Sequence, residues 1–296
     1  MFSLPGRAKL KVLHVGEIPF FMPWREWYKK VEQVSHHTVD YHQRSNPVAL
    51  SEEEINSLSK DSTREAALHP LFLDYDLIRF ERNWGVEAFH MVQATPPLMT
   101  SLQIVDMIYK KNGTFWPHLS FKDGIHSAIL STQPYLNTKG AGLIVGSSVE
   151  AIQTAYVLVE LGLKQITFVV ENDNINVNFL ESMRRSLFQI KFEAITKEKI
   201  ILLPGAYSAM ICCEDLRVRP DLLTAILYFN YLERGGVILN AAFPLDQVPL
   251  QEEALAIGAK YIGLSDLQRH EEIVALQKLG FASINQLFSL VGKQFQ

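Results

Sequence analysis

A short loop between two apolar runs carries the residues best suited to chemistry in this chain. It consists of Gly146, Ser147, Ser148 and Val149. Such a loop, placed between a strand and a helix, lets backbone amides approach a phosphate group, and the start of the helix favours negative charge. Glu171 closes the next β-rich run, where an acid can accept the ribose hydroxyls of a dinucleotide. These residues, with Asn172 beyond Glu171, are therefore predicted to bind a cofactor.

The segments around the loop predict a βαβ unit. Leu143–Val145 is a short apolar run typical of a buried strand, and Val149–Leu161 has the apolar spacing of a helix that ends at Gly162. Ile166–Val170 predicts the second strand, with Glu171 at its end. This order is that of the first βαβ unit of a dinucleotide-binding domain.

Three substitutions within the loop argue against the cofactor. Ser148 and Val149 stand where glycines would let the backbone approach a pyrophosphate. Glu150 adds a carboxylate in the first helical turn, which suits the helix dipole but repels a bound phosphate. A βαβ unit that binds no ligand therefore stays open as the alternative.

The rest of the second half alternates between strand and helix patterns, which predicts a parallel sheet with helices on both faces. Helices are predicted over Asn178–Phe188, Leu222–Leu232, Leu250–Ile257 and Leu267–Leu279, with strands over Ala206–Cys212 and Val237–Leu239.

In the first half, Leu10–Val15 predicts a strand and Trp24–Val34 a helix. Ala88–Ala94 is interpreted as a strand, and Thr100–Lys110 as an amphipathic helix that ends before Asn112-Gly113. The fold class is therefore α/β with two domains.

Composition excludes several classes of protein. The length of 296 residues suggests about two domains, and the net charge of −4 gives no basic excess for nucleic acid. Apolar runs are too short to span a bilayer, and no signal-peptide core follows the N-terminus. We therefore expect a cytoplasmic protein with neither a nucleic acid nor a membrane as partner.

No metal site is predicted. Cys212 and Cys213 are the two cysteines, and two adjacent thiols do not make a zinc site. Inert thiols at the end of a buried strand are expected, with a redox pair as the alternative. His36, His37 and His42 lack acidic or cysteine ligands at a convincing spacing.

The order of landmarks along the chain resembles that of the shikimate dehydrogenase family. Thr95-Pro96-Pro97-Leu98-Met99 stands where that family has Val-Thr-x-Pro-x-Lys, and Phe121-Lys122-Asp123-Gly124-Ile125 is similar to its Asn-Thr-Asp-Gly segment. The shared order covers most of the chain and carries the resemblance, since no single motif is specific. Further landmarks are Lys139–Leu163, Ala209–Cys213, Phe243-Pro244, Val248-Pro249-Leu250, Gly258 and Gly263-Leu264.

The resemblance implies an N-terminal α/β substrate domain, a Rossmann-like parallel-sheet domain, and C-terminal helices that return to the first domain. In this chain the first domain would comprise residues 1–122 with 243–296, and the second residues 123–242. The implied reaction is hydride transfer between a nicotinamide cofactor and an alicyclic hydroxy acid held in the interdomain cleft. A lysine and an aspartate handle the proton of the reacting hydroxyl in that family.

The catalytic residues of the family are matched in part. Asp123 matches the catalytic aspartate and Thr95 the threonine of the substrate domain. Met99 stands where the resemblance implies the catalytic lysine, and a thioether carries neither a proton nor a positive charge. Lys122 is the candidate replacement; a surface lysine is the alternative, because adjacent residues of an extended chain point to opposite sides. His118 and His126 are further candidates for acid-base chemistry, with structural roles as their alternative.

The substrate anchors implied by the resemblance are also changed. Phe20 and Met22 replace two hydroxyl-bearing residues that bind the substrate carboxylate, and Phe121 replaces an asparagine. His270 lies near the position of a substrate-binding glutamine. The pocket that these residues form is predicted to be more apolar and aromatic than in the family.

Two functions stay open from the sequence. The first is an oxidoreductase with altered specificity for a hydroxy or keto acid or a less polar analogue. It would use NAD rather than NADP, because Glu171, Asn172 and Asp173 would repel a ribose phosphate. The second is an inactive relative that keeps the fold for binding, regulation or assembly, with no dinucleotide bound. The stripe at Phe281, Ile284, Leu287, Phe288 and Val291 predicts core or an assembly surface, and a homodimer is left open.

Overall fold

The structure is a computed structural model, and it divides the chain into two compact units. Residues 1–120 with 272–296 form the first unit, and residues 121–271 form the second. The structure describes residues 9–17, 22–35, 38–44, 73–92, 95–171, 176–228, 230–242 and 248–280. The predictions for Phe20, His36, His37, Asn172 and the stripe 281–291 lie outside these residues.

The first unit is built on a five-stranded mixed sheet. The strand order is β2-β1-β3-β4-β5, with β1 parallel to both of its neighbours and β4 antiparallel to both of its own. Aromatic side chains of α1, led by Trp27 and Tyr28, pack on the apolar face of β1. The elements are β1 (Lys9–Val15), α1 (Trp24–Ser35), β2 (Thr38–Arg44), β3 (Leu77–Phe80), α2 (Gly85–His90), α3 (Pro97–Leu102), β4 (Met107–Lys111) and β5 (Thr114–His118).

Two predictions for this unit are wrong. The helix predicted over Thr100–Lys110 ends at Leu102, and Met107 begins a strand instead. Asn112 and Gly113, with φ of 53° and 80°, form the turn of the β4–β5 hairpin, which requires positive φ at both of its central residues. Strand pairing on both sides of β4 therefore outweighs the helical spacing of its apolar residues.

The strand predicted over Ala88–Ala94 is also wrong, because Gly85–His90 is a helix. Gly85 and Ala88 are both buried, and their spacing of three residues puts them on one helical face. A Cβ atom at Gly85 would lie only 2.3 Å from Cγ1 of Ile104, so close packing of the first turn requires a glycine there.

The second unit is a six-stranded parallel sheet with helices on both faces. Its strand order is β11-β10-β9-β6-β7-β8, and all of its strand pairs are parallel. This is the strand order of the Rossmann fold, which is built from two βαβαβ halves. The order in which successive strands are added to the sheet reverses between β6 and β9. The elements are α4 (Ser120–Thr132), β6 (Ala141–Val145), α5 (Val149–Glu160), β7 (Gln165–Val169), α6 (Asn176–Ser186), β8 (Lys191–Ile195), β9 (Tyr207–Cys212), α7 (Pro220–Ile226), β10 (Leu232–Asn240), α8 (Val248–Ala256), β11 (Lys260–Ile262) and α9 (Leu264–Lys278).

The α/β class and the Rossmann-like parallel sheet predicted from the sequence are confirmed. Every residue of β6 is buried, because helices cover both faces of the sheet. β11 pairs with β10 and belongs to the second unit, whereas the resemblance implies that residues 243–296 belong to the first domain. α9 belongs to both units, because its residues up to Glu271 are part of the second unit and those from Glu272 onwards are part of the first.

Two classes of feature are absent from the part of the chain that the structure describes. None of its helices is long and apolar enough to cross a membrane. No group of three metal-ligating side chains occurs in the same residues. The cytoplasmic location stays a prediction.

Candidate functional site

A pocket of about 440 Å³ lies at the carboxyl edge of the six-stranded sheet. The segments that follow β6, β7, β8 and β9 line it. In open parallel sheets, ligands bind at this edge, where the strand order reverses. The charged lining residues are Glu171, Lys197, Glu198, Glu214 and Arg219, and the apolar ones include Val169, Val170 and Leu222.

The loop after β6 has the geometry of a tight strand-to-helix turn. Gly146 has a φ of 119°, a conformation that favours glycine, and its N–H donates to the carbonyl of Val169 at 2.9 Å. Ser148 has a φ of −72°, so a serine fits there without strain, and it caps α5. Its Oγ accepts the N–H of Ala151 at 3.4 Å. The cap thus occupies one of the amides that the start of a helix offers to a phosphate.

Glu214, in the segment after β9, fills the space over the Gly146 turn. A Cβ atom built on Gly146 would lie 2.9 Å from Oε1 of Glu214, and its nearest neighbours among the described residues are all atoms of that side chain. Burial raises the pKa of Glu214, and the charges of Glu171 and Glu150 act in the same direction, whereas Arg219 lowers it. Glu214 is not among the residues predicted from the sequence. The sequence feature that could have pointed to Glu214 is its place directly after the two cysteines, at the end of a predicted strand.

Glu171 follows β7, as predicted, and it lines the pocket. Its exposed carboxylate forms an ion pair with Nη1 of Arg219, so the predicted ribose acceptor already has a cationic partner. Lys197, the second cation of the pocket, is paired with Asp221.

The residues of the pocket fit one part of a dinucleotide and not the other. Val170 and Leu222 offer apolar contact to a base, and a carboxylate such as Glu171 can accept hydroxyl donors. The carboxylate of Glu214 lies beside the Gly146 turn, towards which a pyrophosphate would approach. A pyrophosphate at this turn would therefore meet a carboxylate rather than a cation.

Lys122 and Asp123 lie in the first turn of α4, so the extended chain assumed for them from the sequence is wrong. The helix begins at Ser120, whose N–H donates to Oδ1 of Asp106 at 2.5 Å. Nζ of Lys122 lies 2.7 Å from Oε2 of Glu160 and 3.9 Å from Oδ1 of Asp123. Lys122 is partly buried, and its ion pair with Glu160 links α4 to α5.

His270 links α9 to α4. Its Nδ1 lies 2.8 Å from Oγ of Ser127, and its Nε2 lies 3.2 Å from Oγ of Ser131. The helices approach closely at Gly124, where a Cβ atom would lie 2.5 Å from Cγ of Glu271. Burial, followed by the charge of Arg269, lowers the pKa of His270 to about 4. A neutral imidazole with both nitrogens engaged is thus built into the second unit.

The remaining candidates belong to the first unit. Met99, on α3, is 5% exposed. Oγ1 of Thr95 lies 2.8 Å from Oγ1 of Thr100, and Met22 packs partly buried against the core of this unit. The structure therefore divides the candidates: Met22, Thr95 and Met99 lie in the first unit, and Lys122, Asp123, His270 and the pocket residues in the second.

Cys212 is buried at the end of β9, and burial raises the pKa of its thiol. A thiol in this state is a poor nucleophile. The inert role of the two cysteines stays a prediction.

Comparison with known proteins finds solved structures with a similar fold. Neither a protein-family model nor a curated protein matches the sequence. Quinate dehydrogenase from Corynebacterium glutamicum in complex with NAD is 11% identical, with 94% of this chain and 97% of that chain covered at a TM-score of 0.72. Shikimate dehydrogenase from Mycobacterium tuberculosis is 12% identical, with 96% and 99% covered and a TM-score of 0.71. Shikimate 5-dehydrogenase from Thermus thermophilus in complex with NADP(H) and shikimate is 12% identical, with 94% and 97% covered and a TM-score of 0.63.

These likenesses show the fold. The chain has a divergent shikimate dehydrogenase-like fold, which confirms the resemblance found in the sequence. The solved neighbours bind NAD in one case and NADP(H) in another. The predictions of a homodimer and of no nucleic-acid partner stay predictions.

Proposed function

We propose that this chain is a shikimate dehydrogenase-like protein that keeps the fold to bind a small molecule and has lost the hydride transfer of its relatives. The observation that carries the proposal is Met99, a 5% exposed thioether where the resemblance implies the catalytic lysine. A thioether can neither donate a proton nor carry positive charge, so it cannot assist a reacting hydroxyl.

The candidate replacement for that lysine supports the same proposal. The ammonium of Lys122 lies 2.7 Å from Oε2 of Glu160, and this ion pair links two helices of the second unit. A reacting hydroxyl would have to compete with a carboxylate for the same ammonium. Glu214 adds a further obstacle, because its carboxylate lies beside the Gly146 turn and would repel a pyrophosphate there.

The proposal predicts no turnover with either substrate class of the structural neighbours. The purified protein, mixed with NAD or NADP and with shikimate or quinate, is expected to produce no reduced nicotinamide above the background. The absorbance of the reduced cofactor measures this result. Steady turnover that depends on protein concentration would contradict the proposal.

An active oxidoreductase is the second candidate, and it rests on Asp123 and Glu171. Asp123 is retained at the position implied for the catalytic aspartate, and its side chain is 28% exposed. In this candidate Asp123 would exchange a proton with the hydroxyl of a hydroxy acid or a less polar analogue. Glu171 would favour NAD over NADP by repelling a ribose phosphate.

For the active candidate, Asp123→Asn is expected to lower turnover by about 100-fold, since an amide cannot exchange the proton. Asp215→Asn is the matched control, because the side chain of Asp215 is 30% exposed and belongs to the same unit. Steady-state rates and the circular dichroism spectra of both variants measure the effect. Equal rates in the two variants would remove Asp123 from the mechanism.

A further inference from the structure

We propose that Glu214 converts the pocket at the carboxyl edge of the six-stranded sheet into a site for a nucleoside that lacks phosphate, and that it excludes nucleotides and dinucleotides. This inference deepens the proposed function, on which it rests, by naming the class of ligand. Its starting point is the position of the Glu214 carboxylate, with Oε1 2.9 Å from a Cβ atom built on Gly146.

In dinucleotide-binding folds a phosphate reaches backbone amides at the turn between the first strand and its helix, and Glu214 lies beside that turn at Gly146. A carboxylate beside the turn repels a phosphate by its charge and restricts the space for it, since like charges held close together oppose binding. Ser148 acts in the same direction, because its Oγ already accepts the N–H of Ala151.

The cations of the pocket do not offset this repulsion. Arg219 is paired with Glu171, and Lys197 is paired with Asp221. The lining therefore contains three carboxylates, of Glu171, Glu198 and Glu214, against two cations that are already engaged. An uncharged or cationic ligand suits this balance better than an anion does.

The rest of the pocket suits a nucleoside. Its volume of about 440 Å³ lies within the range of small-molecule sites. Val169, Val170 and Leu222 form the apolar edge of the lining, where a base would contact the small part of each side chain that is exposed. Glu171 keeps acceptor capacity for ribose hydroxyls, because a carboxylate has about four acceptor positions and Arg219 contacts one oxygen.

Calorimetric titration of the full chain with adenosine, ADP and NAD tests the inference. The wild type is expected to bind adenosine at least about tenfold more tightly than ADP or NAD, because Glu214 repels their phosphates. Glu214→Gln removes the charge and keeps the volume, and Glu214→Ala removes both. The affinity for ADP is expected to rise by about tenfold in Glu214→Gln and further in Glu214→Ala, whereas that for adenosine changes less than about threefold.

Glu181→Gln is the matched control, because it removes the same charge from an exposed residue of the same unit that does not line the pocket. It is expected to leave the ratio of ADP to adenosine affinity near that of the wild type. Circular dichroism checks that each variant is folded. ADP binding to the wild type as tightly as adenosine, no binding of adenosine, or an unchanged ratio in both Glu214 variants would overturn the inference.

A pH series gives a second readout. The groups facing Glu214 are Glu150 from α5, Glu171 after β7 and Arg219 before α7. The affinity of the wild type for ADP is expected to rise as the pH falls through the raised pKa of Glu214, and Glu214→Gln is expected to flatten that dependence. Turnover with NAD would overturn both the proposed function and the exclusion of dinucleotides. An unchanged ratio of ADP to adenosine affinity in the Glu214 variants, without turnover, would overturn this inference alone.

Discussion

Replacing Glu272 with alanine is expected to lower the free energy of unfolding by about 3–5 kcal/mol. Oε1 of Glu272 lies 2.9 Å from Nη1 of Arg79, and the two side chains are 0% and 4% exposed. The variant would leave a buried guanidinium without this carboxylate. Tyr28 would also lose an acceptor, because its hydroxyl donates to Oε2 of Glu272 at 3.3 Å.

The pair itself is a weak source of stability. Burial raises the pKa of Glu272 more than the charge of Arg79 lowers it, so desolvation outweighs the attraction. Replacing both residues, as in Arg79→Met with Glu272→Met, is therefore expected to recover at least about half of the loss, because neither charge is then buried.

Chemical denaturation of the two variants and of Glu26→Ala measures these effects. Glu26 lies on the exposed surface of the same unit, 3.9 Å from Lys30, and its replacement is expected to cost less than about 0.5 kcal/mol. A loss below about 1 kcal/mol for Glu272→Ala would contradict the prediction.

The second unit could be predicted well from local patterns. The apolar runs of β6 and β7, the helical spacing of α5 and the turn at Gly146 each lie within a few residues of one another. Because helices cover both faces of a parallel sheet, nearly every residue of its strands is apolar. Such strands are therefore easy to recognise in the sequence.

The first unit was harder to predict, because its errors come from long-range pairing. β4 has apolar residues at helical spacing, and it is a strand because β3 and β5 pair with it. Asn112-Gly113 is a hairpin signal in its own right, but next to a helical spacing it is equally typical of the end of a helix.

The candidate site also depends on contacts between distant parts of the chain, which local sequence patterns do not reveal. Glu171 could be predicted from its place at the end of a strand. Glu214 could not, because its position over Gly146 depends on the parallel pairing of β6 with β9, which no local pattern specifies. The partners of Lys122 and His270 were unpredictable for the same reason, since α5 and α4 supply them.

His270 is expected to make the protein less stable in mild acid. Its pKa in the fold is about 4, below the ordinary histidine value of about 6.5. The unfolded chain therefore binds the proton more tightly. The stability that neutral His270 contributes is complete above about pH 6.5, and it is lost as the pH falls towards about 4. The loss amounts to about 3 kcal/mol, because one pKa unit corresponds to about 1.4 kcal/mol and this side chain is buried.

His270→Gln separates titration from packing. A glutamine amide can both donate to and accept from Ser127 and Ser131, but it does not titrate. The free energy of unfolding of the wild type is expected to fall by about 3 kcal/mol more than that of the variant between about pH 7 and about pH 4. Denaturation at a series of pH values measures this difference. The contributions of the other titrating groups are the same in both proteins and therefore cancel. Parallel curves for the wild type and His270→Gln would show that His270 is protonated equally in the folded and unfolded chain.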